Sequence, residues 1–99
     1  KTLARDAIHL PGGPATIERI AWCTGAAQDF IMQAAAAGCD AYLSGEVSER
    51  TFHQAQELGI HYYAIGHHAS ERYGIKALGE HLAQQFNLHH QFIDIDNPV

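Results

Sequence analysis

Long apolar runs are missing from this 99-residue chain. No stretch nears the roughly 20 consecutive apolar residues that a membrane-spanning helix needs. The opening KTLARDAIHL has no apolar signal core, so neither a membrane protein nor a secretory leader is expected. Basic residues are scarce: six Lys and Arg stand against eleven Asp and Glu, for a formal charge of −5. That balance argues against a nucleic-acid or anionic-membrane surface. Prolines number three and apolar residues make up 46%, which argues against disorder. Cysteines number two, Cys23 and Cys39, in apolar contexts and without a CxxC spacing. The expectation is two reduced thiols in the core of a cytoplasmic protein, not a disulfide framework or a thiolate metal site. The chain does not begin with Met, so it is expected to be one domain, residues 1–99, of a longer protein.

What the chain has in excess is histidine, eight residues in 99, the commonest metal ligand and a group that titrates near neutral pH. Their setting matters more than their number. Apolar segments stop at glycine three times, at Gly25, Gly45 and Gly66, and helical patterns follow each stop. The segments read as strands over 17–24, 41–44 and 62–65. The helices run over 26–37, from an N-cap at Ser48 to Leu58, and from His67 to Phe86. A weak strand at 7–10 precedes the PGGP turn, and Gln91 to Ile95 reads as a last strand. Three strand–helix units predict an α/β domain: a mostly parallel or mixed sheet with helices packed on it. The segment 17–24 ends in a nearly continuous apolar stretch, which predicts a strand covered on both faces. If the strands are parallel, all three glycine turns open on one edge, where ligands sit in open α/β sheets.

At that edge stands YYAIGHHASER, residues 62–72. His67 and Glu71 are four apart and share one face of a helix. On a wheel of about 100° per residue they fall in one sector with Ile75, Leu78, Leu82 and Phe86, while Lys76 and Glu80 fall opposite. They therefore continue a stripe expected to face inward. A carboxylate there needs a partner, and three readings fit: half of a metal site, an ion pair or helix-terminus charge effect, and an unrelated catalytic role. His68, three residues from Glu71, is a second ligand, a donor behind the ligands or a core histidine. Glu46, just after Gly45, faces the same cleft as a supporting group or is simply a helix-start acid. The rival pair His53 and Glu57 lies opposite the apolar stripe of Phe52, Ala55 and Leu58 and reads as a solvated face. His89 and His90 read as surface residues; His9, His61 and His81 form no pattern. Two ligands do not complete a site, since zinc takes about four and magnesium or manganese about six.

RIAWCTGAAQDFI, DAYLSGEVSERTFHQAQELGIHYYAIGHHASERYGIKALGEHL and FIDIDNPV together resemble the C-terminal lobe of the Nif-three-like, or YbgI-like, dinuclear metal-centre family. Its members are also called GTP cyclohydrolase type-two homologues. The GHHxxE block combined with the FIDIDNP ending makes the resemblance specific. It implies a fold of two similar α/β lobes with a metal pair between them and a ring-shaped hexamer. It also implies metal-ligand roles for His67 and Glu71, but not for His68. The family's other ligands, a His-His pair and an aspartate, belong to an N-terminal lobe without a counterpart here. The implied cofactors are two divalent ions per complete subunit, zinc, manganese, iron or magnesium. The implied activity is hydrolase-like, on a small nucleotide-like or phosphate-bearing substrate, with the separate lobe inactive. A regulatory metal-binding module acting through ring assembly and partner contacts is the second expectation.

Overall fold

The computed structural model describes residues 2–99. Strand β1 (Ile8–Leu10) follows a short N-terminal segment, and β2 (Ile20–Cys23) follows the PGGP turn. A single 3-10 turn, Gln28–Phe30, leads into α1 (Ile31–Ala36); β3 (Ala41–Ser44), α2 (Glu49–Leu58), β4 (His61–Ala64) and α3 (His67–Phe86) complete the order. The sheet order is β1-β4-β3-β2. Strands β2, β3 and β4 are parallel, with Ala21, Tyr42 and Tyr62 in register, and β1 adds antiparallel to β4. The expected α/β class with a mixed sheet and three strand–helix units is what the chain forms.

Alternation along the strands sorts their side chains onto two faces. One face carries Ala21, Tyr42, Tyr62 and Ala64 and packs with Ile31 and Ala34 of α1 and Ala55 of α2. Tyr62, Ile31, Ile60 and Ala55 are fully buried there. The other face carries Ile20, Trp22, Leu43, Tyr63 and His9, and no helix lies across it among the described residues. This overturns the expectation that 17–24 is covered on both faces: β2 is an edge strand whose Ile20 and Trp22 are 53% and 73% exposed. Its apolar run belongs to a surface this lobe does not cover. Cys23 is exposed too, against the expected core position, while Cys39 packs at the core's margin; both thiols are free.

Helix α2 begins at Ser48, whose N–H donates to Thr51 Oγ1 at 3.1 Å, and ends at Gly59 with φ of 67°, a left-handed cap that favours glycine. Its buried side chains are Thr51 and Ala55. Phe52 and Leu58, expected on its apolar stripe, are exposed.

Two further expectations fail at the C-terminal end. The stripe of Ile75, Leu78, Leu82 and Phe86 does not face a core: all four are exposed, Phe86 by 68%. Helix α3 leaves the body after its first turns, and the molecule extends to 51 × 25 × 22 Å. Residues 91–95 form no strand. The segment runs back along α3 instead. The His90 ring lies against Gly79, Asp94 bonds His68 and Arg72, and Val99 O accepts from His68 N at 3.1 Å. No helix among the described residues is long and apolar enough to cross a membrane.

Candidate metal centre

The sheet ladder continues past the strands into the three glycine turns. Gly45 N donates to Gly25 O at 3.1 Å and Gly66 N to Gly45 O at 3.0 Å. Glycine is required in this stack. A Cβ on Gly45 would fall 2.8 Å from His67 Cα and 2.7 Å from Gly25 O. Three chain segments thus meet at van der Waals distance directly under the start of α3.

His67 opens that helix and stands between two carboxylates. Its Nδ1 lies 2.6 Å from Glu46 Oε1, and its Nε2 lies 3.1 Å from Glu71 Oε2. A carboxylate only accepts, so Nδ1 carries a proton and donates it to Glu46. That leaves Nε2, on the Glu71 side, as the nitrogen whose lone pair is free when the ring is neutral. The bond from Glu46, reinforced by the charge of Glu71, raises the imidazole's pKa above its usual value. Glu46 is itself held from behind. The fully buried Tyr62 donates its hydroxyl to Glu46 O, and burial pushes that phenol up to about 12, which keeps it a donor. Sequence alone does not single out Tyr62; its apolar, strand-like neighbours hide a polar task.

Imidazole nitrogen and carboxylate oxygen form a mixed donor set that suits zinc, iron or manganese. One more observation supports the fit. A Cβ on Gly25 would sit 2.8 Å from Glu71 Oε1 and 3.4 Å from His67 Nε2, so the absence of a side chain there preserves space where the two donors converge. The pair is half a coordination shell: no group of three or more His, Cys, Asp or Glu side chains is poised around one point among the described residues. Neither donor is buried as the inward stripe implied. The side chains of His67 and Glu71 are 38% and 47% exposed, because the surface α3 would face is open.

His68 is turned elsewhere: its Nε2 bonds Asp94 Oδ1 at 2.9 Å, and Arg72 meets the other oxygen of Asp94 at 3.0 Å. His53 and Glu57 are exposed on the outer side of α2, away from the glycine turns. His9 and His61, which form no pattern in the sequence, are paired across β1 and β4, Nε2 to Nδ1 at 3.1 Å, and His61 Nε2 donates to Pro14 O at 2.8 Å. Around Glu46, His67 and Glu71 opens a cleft of about 620 Å³, lined also by His68, Arg72 and Ile75 of α3 and by Phe92, Ile93, Asn97 and Val99. Sequence reasoning does not single out those last four; only the FIDIDNPV ending marks the segment that carries them.

An α/β lobe that gathers a histidine and two glutamates at the carboxyl edge of its parallel strands defines the class. The particular family follows from comparison: residues 1–98 match DUF34/NIF3 (NGG1p interacting factor 3), and the chain belongs to that family. It is 59% identical to the GTP cyclohydrolase 1 type 2 homolog of Allochromatium vinosum, over 98% of this chain and 38% of that protein. The Escherichia coli K12 protein of the same name is 56% identical over 88% of this chain and 35% of its own length. Among solved structures, the ybgI protein superposes with a TM-score of 0.94 at 51% identity, covering 98% of this chain and 40% of that one. A Thermus thermophilus protein shares the fold, with a TM-score of 0.89 at 24% identity, over 99% of this chain and 39% of its own. The chain therefore spans about two fifths of the length of the relatives it matches.

Proposed function

We propose that this chain is one lobe of a metal-dependent, hydrolase-like protein, in which His67 Nε2 and the Glu71 carboxylate hold a divalent ion at the junction with the rest of the protein. The observation that carries this is the placement of His67 between two carboxylates, one hydrogen-bonded to Nδ1 and the other beside Nε2. Glu46 accepts a hydrogen bond from Nδ1–H at 2.6 Å and Glu71 lies 3.1 Å from Nε2, the arrangement in which a carboxylate behind an imidazole fixes its tautomer and orientation for a ligand. A divalent ion bound there would supply Lewis acidity and make water acidic enough to serve as a nucleophile near neutral pH. Glu46 holds the ring, Tyr62 holds Glu46, and Gly25 leaves the room in which the donors meet. The remaining donors belong to the portion of the protein beyond this lobe; two ions per complete subunit, a ring-shaped homo-oligomer in the cytoplasm and a nucleotide-like substrate belong to the same proposal. The exposed stripe on α3 favours a second reading, a metal-binding scaffold whose function is assembly and partner binding. Turnover of GTP by the manganese-loaded full-length protein, set against its His67→Ala variant, separates the two.

Metal content of the full-length protein tests the site itself. Expected from elemental analysis and competition with a chelator is a strong loss for His67→Ala and Glu71→Ala, a loss of about 10–100-fold in affinity for Glu46→Gln, and no change for Glu57→Ala. Equal losses from Glu57→Ala and Glu71→Ala would place the metal elsewhere.

A further inference from the structure

Two histidines far from the glycine turns are oriented by groups that have no part in the centre at His67. His9 and His61 lie on the sheet face that no helix crosses among the described residues. His9 is in register with Tyr63, and His61 stands two residues before Tyr63 on β4. His61 opens that strand, whereas His67 lies beyond its other end. The His61 ring is held from two sides. Its Nε2 lies 2.8 Å from Pro14 O, and a carbonyl only accepts, so this nitrogen carries the proton. The PGGP turn also closes on the ring: a Cβ on Gly13 would fall 2.6 Å from His61 Cδ2 and 2.8 Å from His61 N. The His9 ring stacks on Tyr63, with centroids 4.4 Å apart and planes within 4° of each other.

With Nε2 protonated, the neutral His61 ring presents the Nδ1 lone pair to His9 Nε2, 3.1 Å away. In the metal-free molecule His9 Nε2–H donates to that lone pair. With the proton of His9 on its Nδ1 instead, two lone pairs share the space between the rings. Nitrogens 3.1 Å apart, each bound at roughly 2.0–2.1 Å, subtend about 100° at a common ion. That angle lies between square-planar and tetrahedral geometry.

We propose that His9 Nε2 and His61 Nδ1 chelate a further divalent ion on the open sheet face, separate from the centre at His67. Two imidazoles with no carboxylate select copper(II), nickel or zinc over magnesium, calcium or manganese, with copper(II) bound most tightly. Pro14 O behind His61 is the partner that fixes a ligating ring's tautomer and orientation, and Tyr63 fixes the plane of His9. The ion takes the place of the proton between the rings. His9 moves that proton from Nε2 to Nδ1, both rings stay neutral, and only the hydrogen bond between them is lost. Water fills the remaining positions. An ion held this way ties the antiparallel edge strand β1 to β4.

Titration of the full-length His67→Ala protein with copper(II), followed by electron paramagnetic resonance, tests the site with the other centre disabled. Expected is a bound copper whose spectrum shows coupling to two nitrogens. Adding His9→Gln or His61→Gln should remove that signal and weaken this copper by at least the roughly tenfold that loss of a mere supporting partner costs. Glutamine at 61 can still donate to Pro14 O, and His9 is exposed, so the fold does not depend on either imidazole. In the otherwise wild-type protein the same two variants should leave manganese content unchanged, whereas His67→Ala lowers it; failure of the centre at His67 therefore leaves this result intact. The proposal is overturned if both variants bind copper with unchanged affinity and spectrum, the pair then being a hydrogen bond only. It is equally overturned if His67→Ala protein binds no copper, or if His9→Gln and His61→Gln cost the manganese.

Discussion

Asp40 joins two strands with one carboxylate. Its Oδ2 accepts the N–H groups of Glu18 and Arg19, each at 2.9 Å, while its own N–H donates to Arg19 O at 2.8 Å. The bond from Arg19 and then that from Glu18 lower the acid's pKa below the usual 3.8, since both favour the ionised form. A depressed folded value means that this carboxylate's contribution is present above the unfolded value and is lost as pH falls through the folded one. Asp40→Asn should therefore lower the melting temperature at neutral pH, and the gap from wild type should close as pH drops below 3.8. Thermal unfolding across that window checks it; a gap that is constant with pH would show the charge to be irrelevant. At this scale the sequence exposes what is local. His67 and Glu71 are one helical turn apart and Glu46 follows a glycine stop, so spacing finds all three. Asp40 and Asp94 act across 21 and 22 residues of chain, and nothing in spacing reveals such partners. Tyr62 is the intermediate case. Tyr62→Phe removes only the hydroxyl that anchors Glu46 and should cost about 0.5–1.5 kcal/mol of stability, read by denaturant titration. If the anchor matters for the centre, it should also weaken metal binding in the direction of Glu46→Gln.

Among the elements, α2 is the most legible because both its ends are chemically marked: Ser48 at the start and Gly59 at the end. Gly59 adopts φ of 67° with nothing within 4 Å of where a Cβ would stand, so a substitution there meets backbone strain and no clash. Gly59→Ala should cost about 1 kcal/mol and Gly59→Asn less, since asparagine tolerates the left-handed region; urea unfolding of both variants measures the difference. Similar losses from the two would mean that something other than φ makes the position sensitive. Strand β2 and the returning segment mislead for a shared reason. Apolar composition reports that a surface wants cover, not which body supplies it. Ile20 and Trp22 read as parts of a doubly covered strand, yet among the described residues helices lie on one face of the sheet only. FIDI reads as a strand, yet its aspartate answers to His68 and Arg72 on a helix, and a side-chain bond across 26 residues outweighs a weak alternation.

At the scale of the whole molecule the same argument becomes a statement about α3. A compact chain of this length has a radius of gyration of about 13 Å; this one measures 16.0 Å, and the excess is α3 projecting from the body. Beyond Arg72 its residues are exposed apart from Gly79, where His90 rests, and Ala83. A helix held by so little tertiary packing depends on its own propensity, and Gly74 and Gly79 reduce that. Yet Ile75, Leu78, Leu82 and Phe86 form an aligned apolar stripe, a pattern costly to leave in water. The chain spans only about two fifths of its relatives' length, so the stripe belongs to a surface that the full-length protein, or its assembly, should close. Amide hydrogen exchange over residues 77–86 should thus be fast in the 99-residue chain and at least about tenfold slower in the full-length protein, because local opening then requires separating packed surfaces. Leu82→Glu combined with Phe86→Glu should restore fast exchange there in the full-length protein while leaving exchange in β3 and β4 unchanged. If the full-length protein exchanged this segment as fast as the lobe alone, the stripe would be solvent-facing in both, and the metal pair at the root of α3 would have to find its remaining donors without a second body closing over that helix.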